Sequence, residues 1–207
     1  MSHPEAPTRR LIWIPIIHSR PDLGSVAEAL RRWYVQHTSP EEWTRHIQTV
    51  DGAWEHIQQA IDRLHLDYDR VRLYQDGLPQ CGHELDIVKD LAASGSQNHG
   101  ILLDLVARGA TLVGTESPAL LLEEYELVQR ALTRLGAEDA DERAEHHQAL
   151  SQLVLETRDR FIAGRVDETL QAGEVGLLFL GLLHAPERFL PSDIELTRAA
   201  WWTAPEA

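Results

Sequence analysis

Four strand-like segments in this chain each end on residues that can do chemistry. Residues 11–17 lead into His18 and Ser19, and residues 70–74 lead into Gln75 and Asp76. Residues 110–114 lead into Thr115 and Glu116, and residues 175–183 lead into His184. Imidazole, with an ordinary pKa of about 6.5, can take a proton from water or ligate a metal. A carboxylate can orient that imidazole, bind the metal, or accept the proton itself. One histidine at a strand end is most often just a hydrogen-bonding residue. Two at corresponding positions, with carboxylates between them, make a candidate site. His18, His184, Glu116 and Asp76 are therefore candidate catalytic residues. His18, His184 and Glu116 would also suit a divalent metal, since two imidazoles and one carboxylate leave an open catalytic position.

The elements that must hold these residues are legible in the spacing. Residues 175–183 carry no polar side chain, as in a strand buried on both faces of a parallel sheet. In such sheets ligands bind beyond the carboxyl ends of the strands. Residues 10–17 repeat the pattern, with Pro15 implying an edge position, a bulge or a strand nearing its end. Ser39, Pro40 and Glu42 form a capping box with proline at the first helical turn. Beyond them Trp43, Ile47, Val50, Trp54, Ile57 and Ile61 recur at helical spacing to about residue 64. Further helices are expected at about 25–36, 83–93, 99–107, 118–135 and 142–171, with short strands at 70–76 and 110–114. The expectation is an α/β fold: a mostly parallel sheet of about four or more strands flanked by helices. One domain spans 1–207, with a loose tail at 1–9 and a helical insertion or lid at about 25–65. Everything after His184 reads as a polar tail.

Arg158 lies on the last long helix among Val154, Ile162 and Val166, a largely apolar face. A guanidinium there is costly unless it meets an anion or a carboxylate. The segment Arg158-Asp-Arg-Phe-Ile-Ala163 is followed by a hydrophobic strand ending Gly181-Leu-Leu-His184. Together with Ile16-Ile-His18, these motifs resemble the erythromycin esterase/ChaN/TraB–Tiki superfamily, chiefly over the two ends of the chain. The resemblance implies an α/β fold; several members are hydrolases, some are metal-dependent proteases, and one branch binds haem. It carries His18, His184 and Arg158 over as site residues. The glycine usual before the first histidine is replaced here by Pro15. The glutamate usual at the end of the second strand has three possible substitutes, Asp76, Glu116 or Glu84.

Composition narrows the alternatives. A formal charge of −14 argues against a general nucleic-acid binder, which needs a basic surface to displace counterions. Cys81 is the only cysteine, so neither an internal disulfide nor a thiolate zinc cluster can form. No apolar stretch approaches the roughly 20 residues of a bilayer span, and the N-terminus lacks the order of a signal peptide, so a cytoplasmic location is expected. There is no P-loop, Gly-x-Gly-x-x-Gly, His-Glu-x-x-His or Gly-x-Ser-x-Gly motif. The loop Ser94-Gly-Ser-Gln-Asn-His-Gly100 opens a helix whose N-terminus could hold an anion, although a plain interhelical turn has the same composition. His146 and His147 read as solvated. The resulting expectation is a hydrolase-like enzyme acting on a small-molecule or peptide substrate, metal-assisted or metal-free. The alternative is a non-enzymatic protein holding a metal, haem or anion at the same rim. Oligomeric state does not follow from the sequence.

Overall fold

The structure is a computed structural model that describes residues 9–17, 27–134 and 141–199. The described residues form five strands: β1 (Arg9–Ile16), β2 (Val71–Gln75), β3 (Thr111–Val113), β4 (Val175–Gly181) and β5 (Ile194–Arg198). They make one sheet in the order β3-β2-β4-β1-β5 with every ladder parallel. Among the described residues six helices alternate with them: α1 (Ala27–His37), α2 (Pro40–Asp62), α3 (Glu84–Ala93), α4 (Gln97–Ala107), α5 (Pro118–Arg134) and α6 (Asp141–Thr169). No helix among these residues is long and apolar enough to cross a membrane.

β4 is central, paired with β2 and β1, and its inner residues are buried without a break. Its two faces support two cores. On one, Ile12, Ile14, Leu73, Leu177 and Phe179 meet Val50, Trp54, Ile57 and Ile61 of α2, Val88 of α3 and Leu102 of α4. On the other, Leu11, Trp13, Tyr74, Leu178 and Leu180 meet Ile162 and Val166 of α6. The period of two along each strand divides its side chains between these layers. Packing is close at Gly176, where a Cβ would stand 2.6 Å from Leu11 Cδ1 and 3.1 Å from the Tyr74 ring.

The helix expected at residues 39–64 begins as its cap predicts, with Ser39 Oγ accepting from Glu42 N–H. It lies on the sheet as a core helix, buried through Val50, Trp54, Ile57 and Ile61. Pro15 costs the sheet nothing. Odd-numbered residues of β1 turn their amides toward β5, as Arg9 N–H to Asp193 O illustrates. The β5 ladder ends at Trp13 opposite Arg198, so proline sits where no ladder donor is required.

Two expectations are corrected. Residues 194–198, read as polar tail, form β5, whose Ile194 is buried while its alternate residues face solvent. Pairing along one side of β1, rather than an apolar run, makes them a strand. The last buried strand stops at Gly181; Leu182 and Leu183 are exposed and belong to a turn closed by His184 N–H on Gly181 O. His184 thus follows a turn and does not continue the strand.

Chain direction changes face between β2 and β3. After β2 the chain enters α3 and α4 on the first face, whereas after β3 it enters α5 and then α6 on the second. Where neighbouring strands send their connections to opposite faces, their carboxyl ends leave a crevice. Asp76 and Glu116 follow those two strands.

Candidate functional site

Val154, Arg158, Ile162 and Val166 recur every four residues on α6, placing one guanidinium in a buried apolar stripe. Arg158 meets three carboxylates there. Its Nε donates to Glu116 Oε2 at 2.9 Å and its Nη2 to Glu116 Oε1, a two-point grip. Nη2 also donates to Asp76 Oδ1 at 2.7 Å, and Nη1 to Glu124 Oε1 of α5 at 2.6 Å. Backbone amides complete the cage: Gly77 N–H donates to Glu116 Oε1, and Gly181 N–H to Asp76 Oδ2. The ends of β2, β3 and β4 are thereby tied to one side chain of α6.

His184 is placed by the residue next to that arginine. Its Nδ1 lies 2.6 Å from Asp159 Oδ1, while Asp159 Oδ2 accepts Ala185 N–H at 2.8 Å. With both oxygens fixed, Asp159 selects the tautomer that carries its proton on Nδ1, leaving the Nε2 lone pair available. Nε2 stands 3.6 Å from Asp76 Oδ2. That separation allows Coulomb attraction but is too long for a hydrogen bond.

The cluster holds more negative than positive charge. Asp76, Glu116 and Glu124 surround a single guanidinium, Asp159 adds a fourth carboxylate at His184, and all but Glu124 are buried. Burial pushes the Glu116 carboxyl above the ordinary carboxylate range, against the pull of Arg158, and Asp76 adds to the rise. For Arg158 burial works against the charged form, but the bonds to Glu116 and the fields of Asp76 and Glu124 outweigh it, so the cation is held.

Asp76, Glu116, Arg158 and His184 are therefore brought together, and of the three possible acids two are present at once. Glu84 is elsewhere: it caps the turn before α3, accepting from Cys81 N–H and Gly82 N–H. Burial would raise its pKa, but those bonds win and lower it. His18 lies outside the described residues, as do residues 1–8, the hinge at 135–140 and the side chains of His146 and His147. Ile16, the last residue of β1, pairs with Gly181, so β1 ends beside the turn that carries His184. Two participants were not anticipated. Asp159 had a signal in being adjacent to Arg158 on a helix leading to the histidine strand; Glu124 had none, because the α5–α6 packing brings it in.

Of the residues expected to bind metal, Glu116 is engaged by Arg158 and Gly77, and His184 Nδ1 by Asp159. Among the described residues no three His, Cys, Asp or Glu side chains are grouped to hold a metal ion. Compared with protein-family models, with curated proteins and with solved structures, the chain matches none.

Proposed function

We propose that the chain is a hydrolase-like enzyme in which His184, oriented by Asp159, takes a proton from water at the carboxyl edge of the sheet. The observation that carries this reading is the Asp159–His184 contact of 2.6 Å, with the second Asp159 oxygen locked by Ala185 N–H. A carboxylate that fixes the tautomer on one imidazole nitrogen and leaves the other basic is the arrangement general-base catalysis needs. When Nε2 takes the proton, the imidazolium lies between Asp159 and Asp76, and both carboxylates stabilise it. Arg158 acts as a positioning residue: its donors hold Asp76 and Glu116. The exposed Leu182 and Leu183 give the approach to His184 an apolar lip. The oxygens of Glu116 are taken up by Arg158 and Gly77 N–H.

A carboxylate and an arginine converging beside one histidine favour this reading over a haem slot, which would be apolar around an open imidazole face. Hydrolysis of p-nitrophenyl acetate and of an acyl-dipeptide anilide by wild type and His184→Ala tests it. General-base catalysis contributes about 10²–10⁴-fold, and kcat should fall by that order with KM little changed. Equal kcat in the two proteins would sink the proposal.

A further inference from the structure

The turn that delivers His184 puts two leucines into solvent. His184 N–H donates to Gly181 O at 3.2 Å, so Leu182 and Leu183 stand at its two corners. They are 56% and 84% exposed, and Leu183 is the most exposed large apolar side chain among the described residues. Glycine, asparagine, aspartate, serine and proline favour such corners, so turn formation does not call for leucine at either. Apolar side chains scattered singly over a surface are ordinary. A consecutive pair beside the proposed base is not scattered.

The turn is anchored at both ends. Gly181 N–H is held by Asp76 Oδ2 and Ala185 N–H by Asp159 Oδ2, and Pro186 beyond them is buried. A ligand resting on the leucines therefore finds their backbone already ordered. Asp76 Oδ2 is shared between base and turn, 3.6 Å from His184 Nε2 and 3.0 Å from Gly181 N. The His184 side chain is only 4% exposed. An opening of that size admits water to Nε2, whereas the bulk of a substrate must lie outside it, against the turn.

Charge restricts what can lie there. Asp76, Glu116 and Glu124 share the single guanidinium of Arg158, and Asp159 adds another carboxylate at His184. Glu187 and Arg188, just beyond the turn, cancel one another. An anion about 8 Å from one net negative charge, at an effective dielectric of about 20, binds on the order of thirtyfold more weakly.

We infer that Leu182 and Leu183 bind the apolar acyl chain of an uncharged ester or amide. Naming that ligand the substrate rests on the hydrolase reading. In that reaction the water oxygen bonds the acyl carbon, the ester or amide bond breaks, and the proton taken by Nε2 passes to the leaving oxygen or nitrogen. The carboxylate product carries the charge that the site repels, which favours its release. Binding of an apolar chain on the turn does not rest on the hydrolase reading.

Two measurements separate binding from catalysis. In the first, p-nitrophenyl acetate, hexanoate and the adipate monoester are compared as substrates of wild type, Leu182→Ser and Leu183→Ser; serine suits a turn corner, so both variants should fold. A methylene half covered on an open surface contributes about twofold, so hexanoate should exceed acetate in kcat/KM on the order of tenfold, through KM. The adipate monoester, which ends the same chain in a carboxylate, should fall about tenfold or more below hexanoate. Each serine variant should bring the hexanoate-to-acetate ratio toward one. A ratio near one in wild type, or one that neither variant changes, overturns the inference and leaves the hydrolase reading standing. In the second, the ¹³C-methyl resonances of Leu182 and Leu183, assigned with the same variants, are followed in His184→Ala as hexanamide is added. Saturable shifts support the inference even where wild type cleaves no ester, an outcome that removes only the hydrolase reading. The absence of saturable shifts overturns it, as do shifts that appear on concentrating the protein without ligand and so mark a second copy on the turn.

Discussion

Replacing Arg158 with methionine keeps much of the side-chain volume on α6 but removes the cation shared by Asp76, Glu116 and Glu124. The Arg158 and Asp76 side chains are each 4% exposed and that of Glu116 is 0% exposed, so water screens those contacts little. Glu124 is 39% exposed, and a pair of that kind contributes about 1 kcal/mol at most. The loss is therefore set by Asp76 and Glu116. Removing one partner of a buried ion pair costs about 3–5 kcal/mol. For a chain of 207 residues the melting entropy is on the order of 0.4 kcal/mol/K, so Tm should fall by roughly 7–12 °C. The deficit should also depend on pH. Without the guanidinium, only the Gly77 N–H bond still opposes burial at Glu116, and its folded-state pKa, already raised, moves further above the unfolded value near 4. A group raised in this way contributes stability below its unfolded pKa and loses it as pH rises through its folded pKa. Circular-dichroism melts at pH 7.5 and pH 5 should therefore show a smaller deficit at pH 5. Arg158→Lys, which keeps the charge but not the two-point grip, should fall between the two proteins. A Tm drop under about 2 °C, or the same deficit at both pH values, would refute the reasoning.

Asp159→Asn should lower kcat by about 10²–10⁴-fold with little change in KM. Ala185 N–H must keep an oxygen, which turns the new NH₂ toward His184 Nδ1 and selects the wrong tautomer; kcat within threefold of wild type counts against that role. Gly114→Ala should destabilise by about 1–3 kcal/mol in a urea melt. Its Cβ would stand 2.6 Å from Gln80 Cα and 2.7 Å from Glu84 Oε1, in the loop that carries Glu116; unchanged stability would mean the loop yields freely. Tyr74, whose hydroxyl pairs with Thr169, is pushed up to about 12 by burial. Its contribution is intact below pH 10 and is lost as pH rises toward 12, about 3 kcal/mol in all at 1.36 kcal/mol per unit. Tyr74→Phe should flatten that alkaline decline in stability, and an unchanged slope would remove Tyr74 as its cause.

The fold was largely written in local patterns. An uninterrupted apolar run made β4 a doubly covered strand, and helical spacing with a Ser-Pro-Glu-Glu start made α2. β5 escaped because an edge strand exposed on alternate positions gains its identity from pairing with β1, a contact no local pattern carries.

For the site, the sequence by itself determined which side chains reach the carboxyl edge of the sheet: Asp76, Glu116 and His184 stand just past strands, and Arg158 stands in an apolar helical stripe. Only the tertiary structure decided how they combine. Strand order sets Asp76 beside Glu116, the α5–α6 packing adds Glu124, and the turn after Gly181 presents His184 to Asp159. Partners 25 to 105 residues apart are chosen by the geometry of the packed layers. Spacing along the chain fixes which face a residue occupies, but not what meets it there.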